Sequence, residues 1–196
     1  VIKDPFGFLV GMNQGSSHRR LLLTAIEWGI AGNSFEFFDR HSVLELGMGP
    51  GSTQYLSRLC RSHNIDLQSL DDNSRWALEV LAVCKPNPNH WCEAFNPKAT
   101  SWHSEIDAIL KMRPPLIAFV DLSPAEARGP VIDQLHWSNV PIIIAHDTEG
   151  SGYMMDGPLS RFRYRIDDPN TGAVTTAVSD IIDVSKWELP PIPLPV

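Results

Sequence analysis

Glu45-Leu46-Gly47-Met48-Gly49-Pro50-Gly51 places three glycines directly behind the apolar run Ser42-Val43-Leu44-Glu45-Leu46, an arrangement suited to holding a nucleotide. Small residues let the main chain pass close to a ligand, and a helix starting near Ser52 would direct free N–H groups and its positive dipole end toward it. Ser52 or Thr53 can cap that helix, and Pro50 tolerates a missing N–H. About twenty residues further on, Asp71 and Asp72 end a second apolar stretch, where a carboxylate can accept from both ribose hydroxyls. A second group is suited to moving a proton or gathering a cation. Asp121 closes Leu116-Ile117-Ala118-Phe119-Val120, and His146-Asp147 closes Pro141-Ile142-Ile143-Ile144-Ala145. Two carboxylates with waters would hold Mg²⁺, whereas His146 with both carboxylates suits a transition metal. Without a metal, His146 is the first choice of general base, because its ordinary pKa lies nearest neutrality, and Glu149 is the reserve. Asp121 can also be read as orienting a cofactor's amino group or capping its loop, and His146 as a hydrogen-bonded strand-end residue.

The elements that must position these groups are legible in the hydrophobic pattern. The three runs above are short, β-branched and closed by polar residues or glycine, as buried parallel strands are. Weaker strands are expected at 65–70 and 91–95. Apolar residues at helical spacing lie between them, as in Leu21, Leu22, Ala25 and Ile26, in Tyr55, Leu56 and Leu59, in Trp76, Leu78, Val80 and Leu81, and in Ile106, Ile109 and Leu110. The middle of the chain therefore reads βαβαβαβαβ, a parallel sheet with helices on both faces. After Asp147 the pattern alternates in 161–166 and 173–178 about Asp168-Pro169-Asn170-Thr171-Gly172, which predicts an antiparallel hairpin. Residues 1–188 read as one domain, and 189–196, with four prolines, as an extended surface tail.

With these residues in place, 43–52 resembles motif I of class I S-adenosylmethionine-dependent methyltransferases, an acid standing two residues before the first glycine. The resemblance implies that Glu45, Gly47, Met48, Gly49 and Gly51 serve the methionine part of that cofactor. It also implies a ribose-binding role for Asp71, with Asp72 as the adjacent alternative, and a place beside the cofactor for Asp121. It covers about Ser17 to Ser185 and implies a seven-stranded, mostly parallel Rossmann-like sheet in the order 3-2-1-4-5-7-6. The Asp121/Asp147 pair is similar to the magnesium-holding pair of metal-dependent catechol O-methyltransferases, although Thr148 stands where those enzymes have Asn. A cephalosporin-hydroxylase-like set is similar too, with an acid where this chain has His146. The activity implied is methyl transfer to an oxygen or nitrogen of a small-molecule acceptor, assisted by Mg²⁺ or metal-free. RNA or protein methylation, and a catalytically idle cofactor-binding module, are the alternatives.

Composition bears on the partners. A formal net charge of −7 opposes general attachment to nucleic acid or anionic lipid, and no apolar run reaches membrane-spanning length. Cys60, Cys84 and Cys92 are odd in number and form no C-x-x-C pair, so reduced thiols and a cytoplasmic location are expected. His18-Arg19-Arg20 either covers the cofactor, holds an anionic acceptor or is a solvated helix start. Arg161, Arg163 and Arg165 share a strand face, read as the wet side of an edge hairpin. His41, His63, His90, His103 and His136 lack zinc-ligand spacing. Trp91, Trp102 and Trp137 are core candidates, with Trp91 or a neighbour also placed at the third strand to lie against adenine. Gly150–Pro158 reads either as a loop closing over the acceptor or as a passive connector.

Overall fold

The structure, a computed structural model, describes residues 18–31, 42–84, 88–150, 153–169 and 173–191. Seven strands follow in chain order: β1 Ser42–Leu46, β2 Asp66–Asp71, β3 His90–Ala94, β4 Ile117–Val120, β5 Ile142–His146, β6 Tyr164–Asp168 and β7 Thr175–Ser179. They form one sheet in the order β3-β2-β1-β4-β5-β7-β6. The first five run parallel, and β7 lies antiparallel to both β5 and β6. The expected order and terminal hairpin are both found, with β6 starting three residues later than the alternation suggested. Strand order reverses between β1 and β4, so the loops leaving those two strands part and open a crevice at their carboxyl ends.

The central strands β1, β4 and β5 are buried along almost their whole length because helices cover both faces. Val43, Ile117, Phe119, Ile142 and Ile144 pack toward α1 (His18–Ala31) and α2 (Ser52–Ser62), through Leu22, Ile26, Leu56 and Leu59. Their neighbours Leu44, Ala118, Val120, Ile143 and Ala145 point the other way, as alternate strand residues must. They meet α4 (Trp102–Met112) and α5 (Arg128–Trp137) through Ile106, Ile109, Ile132 and Leu135. Between β2 and β3 lies α3 (Ser74–Val83), capped by Asn73, whose side chain accepts the Trp76 N–H. A single-turn α6 (Asp156–Leu159) packs on α5. Among the described residues no helix is long and apolar enough to cross a membrane.

The chain beyond the last strand is fastened to the first helix. Arg20 on α1 pairs with the fully buried Asp168 at 2.9 Å, and its Nε donates to the Pro190 carbonyl at 2.6 Å. Pro190 is buried accordingly, while 192–196 lie outside the described residues. Arg20 is thus committed to holding the hairpin and the chain end, not to an anionic acceptor.

Candidate cofactor and acceptor site

The glycine turn is built into the sheet before any ligand is considered. Gly47 N–H donates to the Leu70 carbonyl, so the turn continues the β1–β2 pairing. Gly47 adopts φ +89°, and a Cβ there would lie 2.3 Å from the Asp121 carbonyl oxygen. Only glycine meets both demands. At Gly51, by contrast, φ is −81° and a Cβ would meet nothing within 4 Å. Gly51 is the N-cap of α2 and no side chain caps that helix. The expected cap from Ser52 or Thr53 is absent because Thr53 is turned inward: its Oγ accepts the Gly49 N–H at 3.0 Å and donates to Glu45 at 3.0 Å.

Glu45 is fully buried and also accepts from Ser69 Oγ at 2.6 Å. Burial pushes its pKa up to about 7, against the pull of these hydroxyl donors. It reaches the turn through Thr53, which makes it a positioning residue. Ser69 in turn contacts His90 Nε2 at 2.8 Å, and His90 Nδ1 contacts Ser57 at 3.2 Å, so the half-buried His90 belongs to this network.

The acids after β2 divide their work. Asp71 accepts the Met48 N–H on one oxygen and the Asn73 N–H on the other, each at 2.8 Å, clamping the turn to β2. Burial raises the pKa of Asp71 and of Asp72. A cavity of about 280 Å³ is lined by Gly47, Met48, Asp71, Asp72, Trp76 and Asp121. Trp76 was not singled out by its sequence position, yet its indole N–H donates to the Met48 carbonyl at 2.6 Å and fixes one wall. Asp72 also borders a more apolar cavity of about 360 Å³ that includes Phe95, Trp102, Pro124 and Val131. The Phe95 and Trp102 rings meet edge to face at 4.9 Å. An aromatic wall near the third strand was expected from Trp91 or a neighbour; Trp91 is half exposed beneath Arg113, whereas Phe95 lines the cavity. Trp137 is 71% exposed, so of the three core candidates only Trp102 is buried.

Asp121, His146 and Asp147 come together beyond Gly47. His146 Nδ1 makes long contacts of 3.4 Å to Asp121 and 3.3 Å to Asp147. Burial lowers the His146 pKa, but the hydrogen bond to Asp121 and the two carboxylate charges outweigh it and leave the net shift upward. Asp147 has φ +56°, a conformation that Asp tolerates better than most residues and that turns its carboxylate back toward His146. His18 is buried with its ring edge-on to His146 at 5.3 Å, and burial followed by the neighbouring His146 lowers its pKa to about 3. It is not part of a solvated helix start.

The residue that sequence reasoning missed is Arg128, at the start of α5. Its Nη2 donates to Asp121 at 2.8 Å and its Nη1 to Asp147 at 3.3 Å. Nη1 also donates to the His146 carbonyl and Nε to the Leu122 carbonyl, both at 2.9 Å. The Tyr153 ring covers the guanidinium at 4.6 Å. The three metal-ligand candidates can each offer one atom within 4.8 Å of the others. Two of their carboxylate oxygens, however, already serve Arg128, so as arranged they do not fit a divalent ion.

Other candidates lie apart. Thr148 hydrogen-bonds Thr176 at 2.7 Å and faces β7. Glu149, the reserve base, accepts the Val174 N–H on one carboxylate oxygen at 2.9 Å. Within 150–158 Met155 and Pro158 are buried while Met154, Asp156 and Gly157 are exposed, and 151–152 lie outside the described residues. Arg161, Arg163 and Arg165 are all exposed, as expected of a wet side, but they do not share a strand face: only Arg165 lies on β6, where it pairs with Asp167, and Arg161 precedes the strand and pairs with Asp133 of α5.

A glycine turn after β1, acids after β2 and a reversed hairpin at the sheet's end decide the architecture. The fold is that of the class I S-adenosylmethionine-dependent methyltransferases. No family model matches the chain, and no curated protein does. Among solved structures it is similar to a methyltransferase from Geobacter sulfurreducens, with 15% identity and TM-score 0.57 over 88% of this chain and 82% of that one. It is also similar to the O-methyltransferase from Bacillus cereus in complex with SAH, with 11% identity and TM-score 0.54 over 88% and 94%. A third is an O-methyltransferase from Streptomyces achromogenes involved in tomaymycin synthesis, in complex with SAM, with 14% identity and TM-score 0.50 over 91% and 92%. At identities this low the likeness speaks for the fold.

Proposed function

We propose that the chain is an S-adenosylmethionine-dependent methyltransferase acting on an oxygen or nitrogen of a small-molecule acceptor. The observation that carries this reading is the continuity of the crevice, in which Asp72 borders both the glycine-turn cavity and the apolar cavity at Phe95 and Trp102. The methionine part fits against Gly47, Met48 and Gly49, with Asp121 near its amino group. Asp72 and Asp71 face the ribose, and Phe95 with Trp102 offers adenine an apolar wall. Complexes of two structural neighbours with SAH and SAM support this reading.

Bound there, S-adenosylmethionine supplies an electrophilic methyl group on a sulfonium, and transfer is an in-line displacement that positioning dominates. The chain's own task is to orient the acceptor and take its proton. Contacts of His146 Nδ1 with both carboxylates favour a proton on that nitrogen, which leaves Nε2 as the accepting one. The imidazolium formed is then stabilised by Asp121 and Asp147. Assistance by a divalent metal is the second reading, favoured by the 4.8 Å grouping of ligand atoms and opposed by Arg128. The net charge of −7 and the internally paired hairpin arginines speak against an RNA acceptor.

Calorimetric titration with S-adenosylmethionine, SAH and NAD tests the reading. One site per chain for the first two and none for NAD is expected. Folded protein that binds neither S-adenosylmethionine nor SAH would sink it.

A further inference from the structure

We infer that Arg128 is the resident cation of the acceptor end, so that this site works without a divalent metal; the inference rests on the methyl-transfer reading above. Three observations converge. The guanidinium donates to Asp121 and to Asp147, the two carboxylates on which a hard ion would depend. Its side chain is only 8% exposed against 26% for each Asp, so the contact is sheltered from the water that weakens surface pairs.

The third observation is that Arg128 cannot easily leave. Two of its hydrogen bonds go to main-chain carbonyls, Leu122 beyond β4 and His146 at the end of β5, and Tyr153 closes over it. Swinging out would break four hydrogen bonds at once, including the one to the buried Leu122 carbonyl. An ion entering between Asp121 and Asp147 would therefore meet a fixed positive charge on its own ligands. Lysine could supply the charge but not a planar fork that reaches two strands and two acids together.

The consequence concerns the acceptor class. A metal site selects acceptors whose paired oxygens can chelate the ion and lets the ion lower their pKa. With Arg128 in that role, the acceptor needs to present only one hydroxyl or amine, its proton passing to His146. A monohydroxylated phenol or a single amine suits such a site as well as a vicinal diol does.

The test is titration of the SAH-bound protein with Mg²⁺ and Mn²⁺, by calorimetry and by Mn²⁺ electron paramagnetic resonance, repeated on Arg128→Gln. Wild type is expected to take up neither ion at this site. Arg128→Gln is expected to bind Mn²⁺ at least about tenfold more tightly, since one positive charge has left the side of two carboxylates. That gain should vanish in the double variant with Asp147→Asn. One Mn²⁺ per wild-type chain, lost in Asp121→Asn, would overturn the inference. So would an Arg128→Gln protein that melts cooperatively and still binds no Mn²⁺. If that variant does not fold, the wild-type and Asp121→Asn titrations decide the matter alone. Failure of SAH to bind would defeat the methyl-transfer reading instead, and the Mn²⁺ titration of the unliganded protein would still report on Arg128.

Discussion

At the residue scale the glycines of the turn are unequal, and the inequality separates folding from binding. Gly47 is required by its own φ and by the Asp121 carbonyl, whereas Gly51 is constrained by neither. Gly47→Ala should cost at least about 1–2 kcal/mol from the left-handed backbone alone, with more from the collision, and should lower Tm. Gly51→Ala should melt like wild type and still bind SAH more weakly if the cofactor approaches that backbone. Thermal melts paired with SAH titrations of the two variants check this, and equal Tm losses would refute the distinction. Legibility at this scale followed chain locality. Glu45, the glycines, Asp71, Asp121, His146 and Asp147 could be named because each stands at the end of an apolar run. Arg128 could not, since Arg128-Gly129-Pro130 reads as an ordinary helix start and its partners lie seven and nineteen positions away. Trp76 was missed for a related reason: helical spacing marks it as core, and only its indole N–H links it to the turn.

At the element scale, α5 and the segment entering α6 are held at an unusually short separation. A Cβ on Gly129 would come within 2.3 Å of the Met154 carbonyl oxygen, so the helix has no side chain where the segment crosses it. That approach brings Tyr153 over Arg128. Gly129→Ala should force the two apart at about 1–3 kcal/mol, lowering Tm by several degrees and increasing proteolytic cutting near Tyr153. An unchanged melt and cutting pattern would mean that the close approach is dispensable. The strands themselves were readable because buried parallel strands are continuously apolar, but the start of β6 was not. Alternation begins at Arg161 while pairing begins at Tyr164, since the side chain of Asp180 takes the Arg163 N–H and pairing starts only beyond it.

At the scale of the whole molecule, pH reaches the fold through groups buried in opposite senses. His90 has its pKa lowered by burial to about 4, and His18 to about 3. Each therefore takes up a proton on unfolding below its ordinary value of 6.5, and the stability they carry is lost as pH falls through that range. Glu45 acts oppositely: its folded pKa of about 7 lies above the unfolded 4.5, so between those values the folded state holds the extra proton and stability declines as pH rises. Glu45→Gln removes this opposing contribution. Its urea-derived stability should fall more steeply than wild type on acidification from about pH 6.5 to 4.5, by about 1.4 kcal/mol per pH unit. Parallel profiles for the two proteins would show that Glu45 ionises normally despite its burial. At this scale the alternation of elements pointed to a parallel sheet covered on both faces and to a terminal hairpin, while the strand order found was legible only through the resemblance carried by 43–52, because connection rules leave several orders open.

The absence of space between Gly47 and the Asp121 carbonyl has a thermodynamic corollary. Main chain there touches main chain, with no pliant side chain to absorb movement, so a displacement at one end of the crevice is transmitted to the other. Cofactor and acceptor should consequently bind with a coupling free energy, and reciprocity requires that each change the other's affinity by the same factor. Titrating SAH into the acceptor complex and acceptor into the SAH complex should return matching factors different from one, whichever ligand is added first.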